Sequence, residues 1–360
     1  MRARWFVAVA ATAATVLVSA CGTTDAEEPQ GAKETPTIAL LLPESKTTRY
    51  EAFDRPLFEA KVKALCADCK LLYSNADQDA AKQQQQVEAA LTQGADVLVL
   101  DAVDASAVAP LVNQAKQKDV PVIAYDRLIS GIAYEYYVSF NNVRVGEMQG
   151  QALLDALNAA GTTAKGQVVM INGSPTDPSS ADYKTGAHSV LDGKVKIGRE
   201  FDTPDWSPDK AQQEMEQSIT ALGRDSIVGV LSANDGMAGG AIAAMKRAGY
   251  AKVPPITGQD AELAAVQRIL TGEQYMTIYL DIRREAEQAA ELAVALGRGE
   301  QPAAPTKVDN GTAQIPAYLL DPVPVTADKV KDTIVKDGFY KAADICTTAV
   351  AAACAKAGIQ

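Results

Sequence analysis

The sequence predicts an α/β protein built from two lobes, each a mostly parallel β-sheet flanked by helices. Strand-like apolar runs alternate with helix-like segments along the chain, which is typical of successive βαβ units. About 325 residues follow a polar N-terminal stretch, enough for two hydrophobic cores. The alternation breaks at a short extra strand, Tyr136–Phe140, before a second series begins.

In the first series, strands are predicted where short apolar and β-branched runs occur, at Ile38–Leu42, Leu71–Ser74, Val97–Leu100, Val122–Tyr125 and Tyr136–Phe140. The helices between them are predicted at Phe53–Leu65, Ala80–Gln93 and Ala107–Lys118. In the second of these, Val87, Ala90 and Leu91 share one face and Gly94 ends the helix. The second series has predicted strands near 167–171, 195–201, 227–232 and 256–259. Its predicted helices lie near 143–160, 180–191, 208–222, 236–248 and 262–271.

The chain is predicted to cross between the lobes three times, which makes a hinge of three segments. The crossings are expected near Asn141, at Thr277–Leu280 and at Asn310–Pro316. Helix 282–297 then returns to the first lobe, and Tyr318–Val325 returns to the second. The first lobe is therefore predicted to comprise residues 36–141 and 281–312, and the second residues 142–280 and 313–345. Residues 346–360 form a C-terminal tail.

The N-terminus resembles an export signal. Arg2 and Arg4 precede an apolar run that is too short to span a bilayer, and small residues follow it. The segment Val18-Ser19-Ala20-Cys21-Gly22 resembles the lipobox of bacterial lipoproteins. Residues 1–20 are therefore predicted to be a lipoprotein signal peptide, with an ordinary signal peptide as the alternative. Cys21 would carry the lipid, and residues 21–35 would be a flexible tether outside the cell membrane.

Four further cysteines remain in a chain with an export signal, and an even number there favours disulfides. Three connectivities are possible. The local pairs Cys66–Cys69 and Cys346–Cys354 are favoured because each closes a short loop. A redox pair and a four-cysteine zinc site are the alternatives. The first is disfavoured because Cys66 and Cys69 end a helix-like segment rather than begin one, and the second because the two pairs are far apart in the chain.

The acidic composition limits the partners. The chain has 34 basic and 45 acidic side chains, a net charge of −11. Without Arg2 and Arg4, 32 basic residues face the same 45 acidic ones, a net charge of −13. Nucleic-acid binding rests on a basic surface, so no nucleic-acid partner is expected.

Four predicted strands end in polar side chains. The tips read Tyr125-Asp126-Arg127, Asn172 to Asp177, Ser232-Ala233-Asn234-Asp235 and Gly258-Gln259-Asp260. In open α/β sheets, ligands bind beyond the carboxyl ends of the strands. Carboxylates accept hydrogen bonds, guanidinium groups donate them and amides do both. The tips therefore predict a cleft for a neutral, hydroxyl-rich ligand, with Arg127 in one lobe and Asp177, Asn234 and Asp260 in the other.

The sequence contains few of the residues and motifs that catalysis would require. His188 is the only histidine and is interpreted as a surface or packing residue, so a serine-protease-like triad or a histidine metal centre is not expected. The chain has no Gly-x-Ser-x-Gly or phosphate-loop motif, and Pro43-Glu44-Ser45 follows the first strand where a dinucleotide fingerprint would stand. No enzyme activity, metal or cofactor is predicted.

Three candidate residues also have structural interpretations. Trp206 lies in a loop before a helix and could stack on the C–H face of a sugar or pack in the lobe core; Tyr50 is a weaker aromatic candidate. Asp126 could pair locally with Arg127. Asp235 is more readily explained as a helix N-cap than as a ligand contact.

Five motifs together resemble the D-xylose-binding protein family, the substrate-binding subunits of bacterial ABC sugar importers of the ribose-binding type. They are Tyr125-Asp126-Arg127, the run from Ser139 to Gly146, Gly173-Ser174-Pro175-Thr176-Asp177, the run from Ala233 to Ile242 and Gly258-Gln259-Asp260-Ala261-Glu262. The resemblance extends from about residue 36 to residue 341. It implies a periplasmic-binding-protein type I fold, with the sugar held between the lobes.

The resemblance also implies sugar contacts for Arg49, Arg127, Asp177, Trp206, Asn234 and Asp260. With the strand-tip and aromatic candidates, the predicted ligand-binding set is Arg49, Tyr50, Asp126, Arg127, Asn141, Asp177, Trp206, Asn234 and Asp260. Two positions depart from the family pattern. Leu280 replaces a lysine and Ser179 replaces a sugar-contacting asparagine, so both are expected to reduce hydrogen bonding in the pocket.

The resemblance predicts a monomeric, lipid-anchored, extracytoplasmic protein that binds a monosaccharide by hinge closure and delivers it to an ABC permease. D-xylose is the expected monosaccharide. A sugar-sensing subunit for a membrane kinase or chemoreceptor is an alternative, as is a different monosaccharide. An extracellular carbohydrate-active enzyme is disfavoured by the missing catalytic groups. A regulator of the same fold is disfavoured because the signal and tether occupy the place of a DNA-binding segment.

Overall fold

The computed structural model of the protein describes residues 33–359. The predicted signal peptide, Cys21 and most of the tether lie outside the described residues. In chain order the strands are β1 (Thr37–Leu42), β2 (Lys70–Asn75), β3 (Val97–Leu100), β4 (Val122–Tyr125), β5 (Tyr136–Phe140), β6 (Gln167–Asn172), β7 (Ile197–Asp202), β8 (Ile227–Ser232), β9 (Met276–Tyr279), β10 (Thr306–Asp309), β11 (Gln314–Leu320) and β12 (Val323–Thr326). The helices are α1 (Arg55–Leu65), α2 (Ala80–Thr92), α3 (Ala109–Lys116), α4 (Asn142–Ala160), α5 (Pro178–Leu191), α6 (Pro208–Leu222), α7 (Asp235–Arg247), α8 (Leu263–Thr271), α9 (Ile282–Gly297), α10 (Ala342–Ile345) and α11 (Ala351–Lys356).

The first lobe is a seven-stranded sheet in the order β10-β11-β5-β4-β3-β1-β2. Neighbouring strands are parallel except for the pair β10–β11. One apolar layer under α1 and α9 includes Phe58 and Ala290, and another under α2 and α3 includes Val87 and Val112. Because helices cover both faces, the central strands are apolar along their whole length, as the buried run of β3 shows.

The second lobe contains a parallel sheet, β7-β6-β8, and an antiparallel pair, β12–β9. The segment from Ile256 to Asp260 joins them. Ile256 forms an isolated parallel bridge with Val230, and the Ile278 amide donates to the Gly258 carbonyl at 3.0 Å. The strand predicted at 256–259 is therefore a hydrogen-bonded connection and not a regular strand.

The chain passes between the lobes after Phe140, after Tyr279 and after Leu320. The first two passages coincide with the predicted crossings. The third does not, because β11 pairs in parallel with β5 in the first-lobe sheet. Residues 313–320 thus belong to the first lobe, and the assignment of this segment to the second lobe was wrong.

The reason for this error is that the turn signal at Asn310-Gly311 belongs to a hairpin and not to a crossing between the lobes. The Asn310 side-chain oxygen accepts from the amides of Thr312 at 3.1 Å and Ala313 at 2.9 Å. Gly311 has a φ of 84°, which glycine adopts without strain. The turn joins β10 to β11 within one sheet, as an Asn-Gly pair commonly does.

Both predicted local disulfides form, Cys66–Cys69 and Cys346–Cys354, with Cα atoms 5.3 Å and 5.8 Å apart. The C-terminal tail is not a free appendage. Val350, Cys354 and Ile359 are buried with the second-lobe core, and α8 contacts α10 and α11. Within residues 33–359, no helix is both long and apolar enough to cross a membrane.

Candidate functional site

A cleft between the lobes has about 310 Å³ of space not filled by protein atoms, part of it open solvent. It lies at the carboxyl ends of strands from both sheets, where α/β proteins bind ligands. The first lobe lines it with Thr47, Arg49, Tyr50, Asp126 and Arg127, and the second lobe with Asp177, Tyr183, Trp206, Asn234, Gln259 and Asp260. Eight of the nine residues predicted from the sequence are therefore brought together.

Arg49 is held by carboxylates of its own lobe. It follows β1 and begins a π-helical turn, Tyr50–Asp54. Its guanidinium donates to Asp54 at 2.7 and 3.0 Å, to Glu285 of α9 at 2.5 Å and to Asp126 at 3.2 Å. Burial opposes its charge, but Asp126, Asp54 and Glu285 outweigh that effect and hold the pKa of Arg49 well above its ordinary value. The group is thus a fixed, permanently charged donor.

Arg127 connects the two lobes. Its Nε lies 3.1 Å from Oδ2 of Asp177 in the second lobe and 3.5 Å from Oδ1 of Asp101 in the first. One terminal nitrogen donates to the Ala102 carbonyl at 3.1 Å. The side chain is about 1 % exposed, so these interactions lie in a medium of low dielectric constant.

Asp126 does not pair with its neighbour Arg127 as the local interpretation suggested. Its two carboxylate oxygens accept from Arg49 and from the Tyr50 hydroxyl, the latter at 2.9 Å. Its peptide carbonyl accepts from the Ser139 hydroxyl at 2.7 Å. Asp126 has a φ of 59°, a left-handed conformation that surrounding contacts must maintain.

In the second lobe, Asp177 caps α5 and orients the indole of Trp206. One carboxylate oxygen accepts from the Ser179 amide at 2.9 Å, and the other accepts from the indole nitrogen of Trp206 at 3.2 Å. Trp206 has a φ of 53°, which is uncommon for a bulky residue. It lies in the lobe core and also lines the cleft, so both interpretations of this residue apply.

Asp260 is the carboxylate in this cleft without a cationic partner among residues 33–359. The Gln259 amide donates to it at 3.3 Å. Burial, partly offset by the charge of Arg49, raises the pKa of Asp260 to about 7. The adjacent Gln259 side-chain oxygen is buried and has no hydrogen-bond partner within the described chain. This corner is rich in acceptors, and a ligand hydroxyl could donate to it.

The structure corrects two predictions. Asn141 does not line the cleft; it is exposed and caps α4 by accepting from the Arg144 amide at 3.2 Å. Asp235 is not the N-cap of α7, because Asn234 takes that position and accepts from the Met237 amide at 3.0 Å. The Asp235 carboxylate is instead buried beneath the helix.

The two departures from the family pattern do not face the cleft. Leu280 is 1 % exposed and belongs to the second-lobe core. The Ser179 hydroxyl accepts from the Asn142 side chain at 3.1 Å. Their expected effect on pocket hydrogen bonding is therefore not a direct one in this structure.

Sequence reasoning missed three residues that line the cleft, and also Asp101, whose carboxylate lies 3.5 Å from the Arg127 Nε. Gln259 and Asp101 each had a signal, since Gln259 precedes Asp260 in a polar tip and Asp101 directly follows β3. Thr47 lies in a loop and Tyr183 inside α5, and neither position had a sequence signal that pointed to the cleft.

His188 bridges Asp192 at 2.8 Å and Glu200 at 3.0 Å, away from the cleft, as the packing interpretation requires. Within residues 33–359 no cluster of potential metal ligands is present.

Residues 38–301 match the model of the periplasmic binding protein domain, and the chain belongs to this family. The family consists of substrate-binding proteins and not of enzymes. Within it, the chain is 35% identical over 313 residues to the D-xylose-binding periplasmic protein of Escherichia coli, covering 86% of this chain and 92% of that protein.

Two further relatives support the same grouping. The multiple sugar-binding periplasmic protein SbpA of Azospirillum brasilense is 33% identical over 359 residues, covering 94% of this chain and 98% of that protein. An ABC transporter solute-binding protein of Clostridium phytofermentans, solved with bound β-D-glucose, superposes with a TM-score of 0.79 at 29% identity. That match covers 86% of this chain and 99% of the other.

Proposed function

We propose that this protein is the sugar-binding subunit of an ABC importer and that it closes its two lobes around a monosaccharide. D-xylose is the ligand we expect. The observation that carries the proposal is the lining of the cleft. Polar side chains from both lobes meet there beside the rings of Trp206 and Tyr183. Contacts to both lobes are what allow a ligand to favour the closed state, because only differential contacts shift a conformational equilibrium.

The arrangement of charges fits a neutral ligand with many hydroxyls. Arg49 and Arg127 already have carboxylate partners in Asp126 and Asp177, so they need no ligand charge to balance them. Hydroxyls can donate to the acceptors near Asp260 and accept from the guanidinium groups. The indole of Trp206 offers an apolar surface for the C–H face of a sugar ring.

The choice among sugars comes from the named relatives. The relative in Escherichia coli is named for D-xylose, the one in Azospirillum brasilense for several sugars, and the structure from Clostridium phytofermentans holds glucose. Titration calorimetry should therefore compare D-xylose, D-glucose, L-arabinose, D-ribose and xylitol. We expect D-xylose to bind most tightly; heat signals absent across the whole series would refute the sugar assignment.

A site variant and a matched control sharpen this experiment. Asp260→Asn replaces a buried acceptor oxygen with an amide donor and should weaken sugar binding by about fivefold to a hundredfold, since a lost buried hydrogen bond costs ~1–3 kcal/mol. Asp225→Asn removes an exposed carboxylate outside the cleft and should leave the affinity unchanged. Recovery of the sugar chemically unaltered after incubation would argue against an enzyme.

The proposal includes attachment to the cell membrane through lipid on Cys21, after cleavage of residues 1–20. Support comes from the segment Val18-Ser19-Ala20-Cys21-Gly22. Mass spectrometry of the N-terminal peptide from membranes should find acylated Cys21, and Cys21→Ala should release the protein from the membrane fraction. An unmodified N-terminus at Cys21 would contradict the anchor. Light scattering with size-exclusion chromatography is expected to give a monomer.

Transport and sensing can be separated in cells. Deleting the gene should abolish uptake of radiolabelled D-xylose if the protein serves an importer. A sensing subunit would instead leave uptake intact while the response of gene expression or motility to the sugar is lost. The same strain complemented with Asp260→Asn should behave like the deletion at low sugar concentrations.

A further inference from the structure

Asp101 directly follows β3 and lies beside Arg127, with an incomplete set of contacts of its own. The residue is completely buried, and neither carboxylate oxygen has a hydrogen-bond partner within residues 33–359. Asp177 across the cleft accepts from the Ser179 amide and the Trp206 indole. A buried carboxylate without a donor is costly and requires an explanation. Burial accordingly raises the pKa of Asp101 well above its ordinary value.

Arg127 stands between these two carboxylates. Its Nε is 3.1 Å from Asp177 and 3.5 Å from Asp101, yet it makes a well-aligned hydrogen bond to neither. Its terminal nitrogens contact the Ala102 carbonyl at 3.1 Å and the Tyr50 hydroxyl at 3.5 Å. Both of these partners belong to the first lobe, as Arg127 does, so the Arg127 side chain keeps these contacts when the lobes separate.

Separation of the lobes removes one partner and leaves the other. Asp177 moves with the second lobe. The neighbouring contacts between lobes, from the Thr176 hydroxyl to the Val103 carbonyl and from the Ala105 amide to the Thr176 carbonyl, both at 3.2 Å, break with it. Asp101 is then the nearest carboxylate still facing the Arg127 Nε. Arg49 differs, because all three of its carboxylate partners lie in its own lobe.

We propose that Asp101 is a positioning residue that is left as the sole ion-pair partner of Arg127 when the cleft opens, and that it sets sugar affinity by stabilising the open state. The inference rests on the proposed function only in requiring lobes that open and close. A guanidinium in a low-dielectric site needs a counter-charge in each state. When Asp101 takes over from Asp177 as the partner of Arg127, the guanidinium has a counter-charge in both the closed and the open state.

The direction in which Asp101→Asn changes the closed fraction and the sugar affinity tests this exchange. Asp101→Asn keeps the shape but removes the waiting charge, so the open state loses more than the closed state. We expect small-angle scattering without sugar to show a larger closed fraction than in the wild-type protein. We also expect sugar to bind about threefold to tenfold more tightly, because apparent affinity follows the population of the competent state. Unchanged scattering, or weaker binding, would overturn the proposal.

Two further variants act as controls. Asp177→Asn, measured without sugar, should shift scattering in the opposite direction, towards the open form. Asp68→Asn removes an exposed carboxylate of the first lobe away from the cleft and should leave the distribution unchanged. A closed shift in Asp68→Asn equal to that in Asp101→Asn would attribute the effect to net charge and refute the exchange.

A measurement on the wild-type protein keeps the proposal testable if Asp101→Asn does not fold. A crystal structure of the open, sugar-free form should show an Arg127 nitrogen hydrogen-bonded to Asp101, closer than the present 3.5 Å. Arg127 solvated by water alone would overturn the exchange. Because neither scattering nor this structure needs a sugar, a protein that binds none of the sugars tested could still show the exchange.

Discussion

The indole of Trp206 lies directly against the backbone of Gly173, so close that a Cβ atom at position 173 would stand 2.0 Å from the ring. Gly173 directly follows β6, and Trp206 lines the cleft. A side chain at position 173 would therefore occupy the space of the ring. The glycine sets the depth at which the indole can lie, and with it the shape of the pocket wall.

Gly173→Ala is expected to displace Trp206 and to weaken sugar binding. Overpacking of a tight contact typically costs about 1–3 kcal/mol, which corresponds to roughly fivefold to a hundredfold in the dissociation constant. Titration calorimetry measures the loss, and tryptophan fluorescence reports the altered indole. In the control Gly236→Ala, the added Cβ meets no atom closer than 3.5 Å, so this variant should bind like the wild-type protein. Equal affinities for both variants would show that the ring position does not matter.

Gln259 is expected to contribute to binding although it is not among the residues predicted from the sequence. Its amide nitrogen donates to the Tyr183 hydroxyl at 3.3 Å, and its buried oxygen lacks a partner within residues 33–359. Gln259→Leu removes an acceptor that a ligand hydroxyl can use, and should weaken binding about fivefold to a hundredfold, since a lost buried hydrogen bond costs ~1–3 kcal/mol. Calorimetry against D-xylose checks it. An affinity within twofold of wild type would place the sugar away from this corner.

The sequence could predict most of the fold because the strands are apolar along their length and the helices are periodic. It could predict the site where polar residues directly follow a strand, as with Asp126 and Asp260. It failed where a local turn signal had two meanings, as at Asn310. It also failed at Tyr183, because a residue inside a helix reaches the cleft only through the packing of α5 against the sheet.

The buried Asp235 should make stability depend on pH. Burial beneath α7, together with the nearby charge of Glu262, raises the pKa of Asp235 well above its ordinary value. A carboxyl with a raised folded-state pKa is protonated in the folded protein while the unfolded chain has already lost the proton. Its stability contribution is therefore present at low pH and is lost as pH rises towards the folded pKa.

Asp235→Asn mimics the protonated form, so it should gain stability relative to the wild-type protein as pH rises from about 4 to about 8. Thermal unfolding of sugar-free protein across this range measures the difference. Asp225→Asn removes a carboxylate that is 92 % exposed and serves as the surface control. A difference that is constant across the range, or that narrows as pH rises, would contradict the burial argument.

The C-terminal disulfide is expected to hold the tail on the second lobe. Cys346 and Cys354 enclose a short loop, and Val350 within it is buried against the core. Replacing both cysteines with serine should lower the free energy of unfolding by about 2–3 kcal/mol, the chain-entropy value for a loop of this size. Thermal melts measure that loss, and limited proteolysis should cleave the variant first within the tail. The matching double serine variant at Cys66 and Cys69 closes a shorter loop and should lose less; the reverse order would show that packing, and not loop closure, governs the stability of the tail.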